Sequence, residues 1–294
     1  MPKKAICFGE MLWDVFPKRK IAGGAPMNVA LHLQHLGLDT TMISRVGRDK
    51  LGKDLIRFVE GFGLDTSLIQ LDDELPTGTV HVDDSDRENI KYEIVKPAGW
   101  DRIAWDESIQ RVVRMADVFV YGSLSAREPL SRETLFSLLE TSDTLKVLDI
   151  NLRPPFYTAE LIEKLLMSCN ILKINEDELS KIASFHDLPS KTDAALEKLA
   201  EQFELDLICV TLGAKGALLY QEGEIVSHPG YPVEVADTVG SGDAFLAGFI
   251  AKFLEHQSPE QMLDYACALG ALVATMEGGT PKYDQHEVEL LRKS

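Results

Sequence analysis

The sequence predicts an α/β fold: a doubly wound, mainly parallel sheet with helices on both faces. Three observations carry this. Short apolar runs that read as buried strands recur from residues 5–9 to residues 207–212, and helix-period segments alternate with them. No linker-like, low-complexity or repeated segment interrupts the alternation. The chain has 294 residues, 45% of them apolar and 26% charged, which are globular values with room for a sizeable core.

Composition also narrows the partners. With 30 basic and 47 acidic residues the formal net charge is −17, which argues against nucleic acid or an anionic membrane surface. An anionic ligand must then be held by a local positive site. Cys7, Cys169, Cys209 and Cys267 form no C-x-x-C pair and read as free thiols of a reducing cytosol. No apolar run approaches membrane-spanning length, and the first strand is cut short too soon, at Glu10, for a signal peptide.

Taken in order, residues 5–9 form the first buried strand, and residues 11–16 a second extended piece that sets Asp14 among apolar neighbours. Asp14 either bonds backbone or accepts from ligand hydroxyls. Gly23 and Gly24 precede a helix with Pro26 in its first turn and Gly37 as its stop. Twin glycines let a ligand approach the backbone, and Asn28 offers a polyol both donor and acceptor. His32 and His35 share a face of this helix. With no third ligand, solvent-exposed histidines are expected there rather than a metal site. Residues 41–47 are the next strand, with a helix at 51–62. The turn between them, from Gly47 to Asp54, nearly has Walker A spacing, but it ends in an acid where a hydroxyl is needed and is rejected as a phosphate loop.

Residues 77–95 alternate around a polar tip at 83–87, which signals a hairpin: a lid, a dimer clasp or an ordinary edge hairpin. Strands at 118–122 and 146–151 flank a helix at 131–140. Pro154 and Pro155 end the second strand and leave Arg153 at its C-terminal end, where α/β folds place ligands. In residues 170–178, Glu178 is either a hard oxygen ligand for Mg²⁺ or an acid of a helix's first turn. Residues 207–217 are a strand opening into a glycine turn with Thr211, Gly213 and Gly216.

Around residues 235–249 the chain passes from strand-like to helical pattern, with Gly240 and Gly242 at the junction. A junction of this kind leaves backbone amides at the positive end of a helix dipole, which suits an anion. Asp243 beside it either stabilises the first turn or takes a hydroxyl proton while the loop holds a phosphoryl group. The helix at 260–276 carries small residues, for close packing or for a slot that takes a flat adenine ring. A turn at 277–281 and a short final helix follow.

Residues 237–248, Asp-Thr-Val-Gly-Ser-Gly-Asp-Ala-Phe-x-x-Gly, closely resemble the C-terminal motif of the ribokinase/PfkB family of sugar kinases. Gly23-Gly24-x-x-x-Asn28-x-Ala30 is similar to the family's N-terminal motif, and Gly47-x-Asp49-x-x-Gly52 to its next turn. Asn175-x-x-Glu178 and Thr211-x-Gly213-x-x-Gly216 look like two more of its motifs, and all stand in family order between Gly9 and about Pro281. The resemblance implies one ribokinase-like three-layer α/β/α domain over residues 1–294, with a β lid made by about 77–95 and short N-terminal strands. It implies ATP-dependent phosphorylation of a sugar hydroxyl, with Asp243 as base and Gly240, Ser241 and Gly242 as the anion hole. Arg153 is then placed near the sugar or the transferred phosphoryl group. The sugar is expected against Asp14, Gly23, Gly24 and Asn28, and ATP along Asn175, Thr211, Gly213, Gly216, Gly240 and Gly242. Mg²⁺ is expected at Glu178 through water, and a monovalent cation such as K⁺ near Asp237. A homodimer through the lid also follows from the resemblance, and the four unpaired thiols give the expectation of a cytoplasmic location. Residues 9–17 and 23–30 look most like bacterial fructokinases, which puts fructose ahead of 2-keto-3-deoxygluconate, ribose or a nucleoside as substrate. A catalytically silent sugar-binding protein on the same fold is disfavoured by Asp243, since binding alone requires no base.

Overall fold

The computed structural model describes residues 2–83 and 91–293. The first half runs β1 (Lys4–Phe8), β2 (Leu12–Val15), β3 (Lys20–Gly23), α1 (Ala25–His35), β4 (Asp39–Gly47), α2 (Lys50–Glu60), β5 (Ile69–Asp72), β6 (Gly78–Asp83), β7 (Lys91–Ile94), α3 (Glu107–Arg114), β8 (Val118–Gly122), α4 (Pro129–Glu140) and β9 (Leu145–Asp149). It continues with α5 (Ala159–Leu166), β10 (Ile171–Asn175), α6 (Glu176–His186), α7 (Thr192–Phe203), β11 (Leu207–Thr211), β12 (Ala217–Gln221), β13 (Glu224–His228), α8 (Ser241–Leu254), α9 (Pro259–Ala274) and α10 (Gln285–Leu291).

Alternation along the central strands explains the layers. Successive side chains point to opposite faces. In β1, Ile6 and Phe8 pack with α3, α4, α5 and α7 on one side, while Ala5 and Cys7 pack with α1, α2, α8 and α9 on the other. Both faces are apolar, so these strands read as continuous hydrophobic runs. The sheet order is β13-β12-β11-β10-β9-β8-β1-β4-β5, parallel from β11 to β5 and antiparallel at β12 and β13. From β1 the chain winds outward through β4 and β5, then returns beside β1 with β8 and winds the other way. That reversal at β1 and β8 is a topological switch point, and in open α/β sheets the crevice beyond the strand ends there binds ligands. All four cysteines are free and buried. No helix of the described residues is long and apolar enough to cross a membrane.

A second, four-stranded sheet in the order β3-β2-β6-β7 stands apart from the first. The expected hairpin is therefore not an edge of the main sheet: β6 lies between its partner β7 and the N-terminal β2, which pairs with it in parallel. The hairpin's tip from 84 to 90 lies outside the described residues. Two other expectations are corrected. Residues 229–240 form a long loop before α8, so no strand runs straight into it, because Pro229 and Pro232 withhold the amides a strand needs. His32 is buried at 2% exposure, not exposed to solvent, because α1 is enclosed from Pro26 to Leu33, while His35 is exposed.

Candidate active site

Local chemistry sets each wall of the site. The approach of α1 depends on Gly24, whose φ of 113° suits glycine and where a Cβ would meet the Glu10 carbonyl oxygen at 2.4 Å. Pro26 then occupies the first turn of α1 and Asn28 follows, buried at 4% exposure. Across from it, α8 begins at Gly240, with φ 77°, where a Cβ would meet Gly279 at 2.4 Å. The amides of Gly242 and Asp243 in the first turn of α8 have no intrahelical acceptor and form the positive end of the helix dipole, while that of Ser241 turns back to the Thr238 carbonyl at 3.3 Å.

These elements converge on one cleft of about 510 Å³. Of the residues singled out in the sequence, Asp14, Gly24, Asn28, Arg153, Asn175, Thr211, Gly240, Gly242 and Asp243 line it. Its central contact joins two segments far apart in sequence: Asn28 Nδ2 donates to Asp243 Oδ2 at 2.8 Å. Among the described residues Asn28 Oδ1 has no hydrogen-bond partner although it is buried, which leaves an acceptor for a ligand hydroxyl. Burial, and next the charge of Asp149, push the half-buried Asp243 carboxyl up to about 6, while the Asn28 hydrogen bond, Lys173 and Arg153 oppose the rise. At neutral pH it is an anion of moderate basicity, suited to accept a hydroxyl proton. Asp14 is likewise raised to about 6, by burial first, with Arg153 opposing and Asp237 adding. Gly23 lies against it, since a Cβ there would sit 2.6 Å from Asp14 Oδ2.

The remaining expected residues stand around the cleft in supporting positions. Ser241 turns its hydroxyl to the Gly270 carbonyl at 3.0 Å, so it binds α8 to α9 and can serve a ligand only through its backbone. The small residues of α9 accordingly serve helix packing at Gly270. Glu178 is buried and accepts from the amides of Leu152 and Asn175, both at 2.9 Å, while Asn175 Oδ1 accepts from the Glu178 amide at 2.8 Å. That is a capping box of α6. Any metal contact by Glu178 therefore shares a carboxylate already engaged by two amides, which fits an ion that keeps its waters. Among the described residues no group of three or more His, Cys, Asp or Glu is arranged to hold a metal ion. Asp237 braces two loops, accepting from the amides of Val239 at 3.0 Å and Gly278 at 3.1 Å. Gly213 and Gly216 shape the turn after β11, and Thr211 bonds the Ile174 carbonyl at 3.4 Å. The rejected Walker-like turn is structural: Asp49 caps α2 through Gly52 N at 2.8 Å and holds Thr77.

Three residues that the sequence reading passed over belong to the cleft or frame it. Lys173, on β10, lies 3.0 and 3.1 Å from the two oxygens of Asp149, and its Nζ would be 3.3 Å from a Cβ on Gly242. Burial works against its charge, but Asp149, Glu178 and Asp243 outweigh that and hold the ammonium above the usual lysine range. The site thus has a fixed cation beside the α8 amides inside an acidic protein. Glu10, just past β1 at the switch point, is buried, and its Oε2 has no partner among the described residues. Burial pushes it up to about 7. Tyr92 of β7 reaches the cleft from the small sheet, together with Leu12, Val80 and Ile94. An acid at the end of an apolar strand was the available signal for Glu10, and a lysine inside an apolar strand two residues before Asn175 was the signal for Lys173.

Comparison with known proteins shows the family of the chain. The family described as pfkB family carbohydrate kinase matches residues 4–285. A fructokinase of Klebsiella pneumoniae is 30% identical, over 95% of this chain and 95% of that protein. Among solved structures, a fructokinase from Xylella fastidiosa with bound ATP superposes with a TM-score of 0.88 at 23% identity, covering 100% of this chain and 99% of that one. A fructokinase double mutant from Vibrio cholerae O395, with fructose, ADP and potassium ion bound, gives 0.84 at 21% identity, covering 98% of each. The chain belongs to the pfkB family of carbohydrate kinases.

Proposed function

We propose that this protein transfers the γ-phosphoryl group of ATP to a sugar hydroxyl, with fructose as the acceptor and fructose 6-phosphate as the product. One observation supports it above the rest: the carboxylate of Asp243, in the first turn of α8, is held by Asn28 of the helix that offers a polyol its polar contacts. A residue that only stabilised its helix would have no reason to be tied to a ligand-facing amide with a free acceptor.

In this reading the sugar lies against Asp14, Gly24 and Asn28, with the small sheet above. ATP runs from the Thr211–Gly216 turn toward Gly240 and Gly242. Asp243 takes the proton of the attacking hydroxyl as its oxygen bonds the γ-phosphorus and the bond to ADP breaks. The amides of the first α8 turn and the Lys173 ammonium face the charge on the phosphoryl oxygens. Arg153, exposed in the loop after β9, adds a second cation lining the same cleft. Glu178 would be the residue to hold a nucleotide-borne Mg²⁺, which would supply neutralisation of phosphate charge there. The loops that Asp237 braces are where a monovalent cation would bind, as potassium does somewhere in the Vibrio protein. The small sheet is proposed to close over the sugar and to pair with that of a second copy. The four free thiols favour a cytoplasmic setting. Measuring ADP release over a panel of ketoses, aldoses, 2-keto-3-deoxygluconate and nucleosides tests the reading. Fructose is expected to give the highest kcat/KM, and turnover of none of them would overturn it.

A further inference from the structure

His32 plays no part in the mechanism so far, yet it holds the loop at 277–279, which packs against the Gly240 turn and Asn28. His32 stands one turn beyond Asn28 on the same face of α1. Its Nε2 lies 3.0 Å from the Gly279 carbonyl oxygen and its Nδ1 lies 3.1 Å from the Tyr283 hydroxyl. A carbonyl only accepts, so Nε2 carries the proton, and Nδ1 accepts from Tyr283. Burial lowers the histidine to about 4, which keeps the ring neutral and this tautomer in place. Tyr283 is itself buried, its ring stacked on His32 at 5.7 Å between centroids and 28° between planes.

Gly279, held by this bond, is wedged between the two halves of the site. It packs against Gly240, where a Cβ would come within 2.4 Å of it. A Cβ on Gly279 itself would lie 2.7 Å from Asn28 Nδ2, the atom that donates to Asp243. Its neighbour Gly278 donates to Asp237 at 3.1 Å, and Asp237 in turn holds Val239 at 3.0 Å. We propose that His32 is a positioning residue: by holding the Gly279 carbonyl it fixes the wedge that sets the Gly240 turn and the Asn28 amide against Asp243. The helix that presents the sugar contacts thereby aligns the base and the phosphate-binding amides as well. The kinetic part of this inference rests on the sugar-kinase reading, and the structural part does not.

Hydrogen exchange and steady-state kinetics on His32→Leu, His32→Gln and Gly279→Ala test it. Leucine removes both hydrogen bonds, glutamine keeps a donor for the carbonyl, and alanine pushes on the wedge from its other side. In His32→Leu, amides at 237–243 are expected to exchange about tenfold faster with protection elsewhere kept. Its kcat is expected to fall about 10- to 100-fold, as a displacement on the order of 1 Å at a reacting group does, with sugar KM raised and ATP KM within about twofold. His32→Gln should recover most of the lost turnover, and Gly279→Ala should lose it as leucine does. If His32→Leu does not fold, Gly279→Ala carries the test. Unchanged exchange at 237–243 in the folded variants overturns the inference. So does a uniform loss of protection with both KM values unmoved, which would make His32 a stability residue only. A wild-type protein that turns over no sugar refutes the kinase reading, and the exchange comparison still decides this one.

Discussion

Replacing Asn28 by alanine tests the contact on which the two halves of the site meet. The wild-type amide does two things: Nδ2 donates to Asp243 at 2.8 Å, and the buried Oδ1 is free to accept from a ligand. Hydrogen bonds to charged groups contribute about 1.5–3 kcal/mol, so losing a sugar hydroxyl's partner and the brace on Asp243 should cost about tenfold or more in kcat/KM for sugar. The bond to Asp243 stabilises its anion, and its loss moves that carboxyl further up from about 6. Since the base works ionised, activity disappears as pH falls through its pKa. The acid limb of the kcat/KM profile should therefore move to higher pH, by roughly one pH unit if the lost bond accounts for about 1.4 kcal/mol between the two protonation states. ATP KM should stay within about twofold, because the turn after β11 is untouched. Initial rates against sugar, ATP and pH measure all three quantities. Equal rises in both KM values, or an acid limb that does not move, would show that Asn28 is neither a sugar contact nor the partner that tunes the base.

Three other outcomes follow from the same geometry. Lys173→Met leaves Asp149 buried without its cation, a change that typically costs about 3–5 kcal/mol. Adding Asp149→Asn should recover stability but not turnover, and full recovery of turnover in the double variant would remove Lys173 from the phosphoryl site. Glu10, Asp14 and Asp243 are held up at about 7, 6 and 6, so the folded chain keeps protons that the unfolded chain releases. Their contribution to stability is present below about pH 4 and is lost as pH rises toward about 7. Tm should thus fall across that window, and Glu10→Gln should flatten the fall and raise Tm above about pH 7; an unchanged slope would count against the buried acid. Finally, amides of β6 and β7 should gain protection when a confirmed sugar substrate is bound, and no gain in a confirmed monomer would remove both the closing and the pairing roles of the small sheet.

Much of the fold was legible because its signals are local. Apolar runs announced the inner strands, and glycines with prolines marked the turns around Gly24 and Pro26. What the sequence hid depends on distant pairings. That β6 lies beside β2 in a separate sheet comes from hydrogen bonds between strands more than sixty residues apart, which no period encodes. The glycine motif around Gly240 was legible, but its bond to Asn28 crosses 215 positions. Lys173 and Glu10 stayed hidden because a charged residue in or beside an apolar run looks like an interruption until the fold shows what surrounds it: Asp149 beside Lys173, and the cleft beside Glu10. His32 was misread for the same reason, since the chain that buries it arrives some 247 positions later, at Gly279.

Asp243→Asn bears most directly on the central claim. Asparagine keeps the shape and the contact with Asn28 but cannot take the proton, while the α8 amides that hold phosphate remain. A positioned base contributes about 10²–10⁴-fold. With Asp243 as the base, kcat for the best sugar should fall by about that factor, while nucleotide affinity stays within a few-fold and Tm at neutral pH does not drop, since the half-buried acid whose pKa is raised is neutralised. Turnover close to wild type, with a loss of stability of roughly 0.3–1 kcal/mol, would instead make Asp243 a residue that only stabilises its helix.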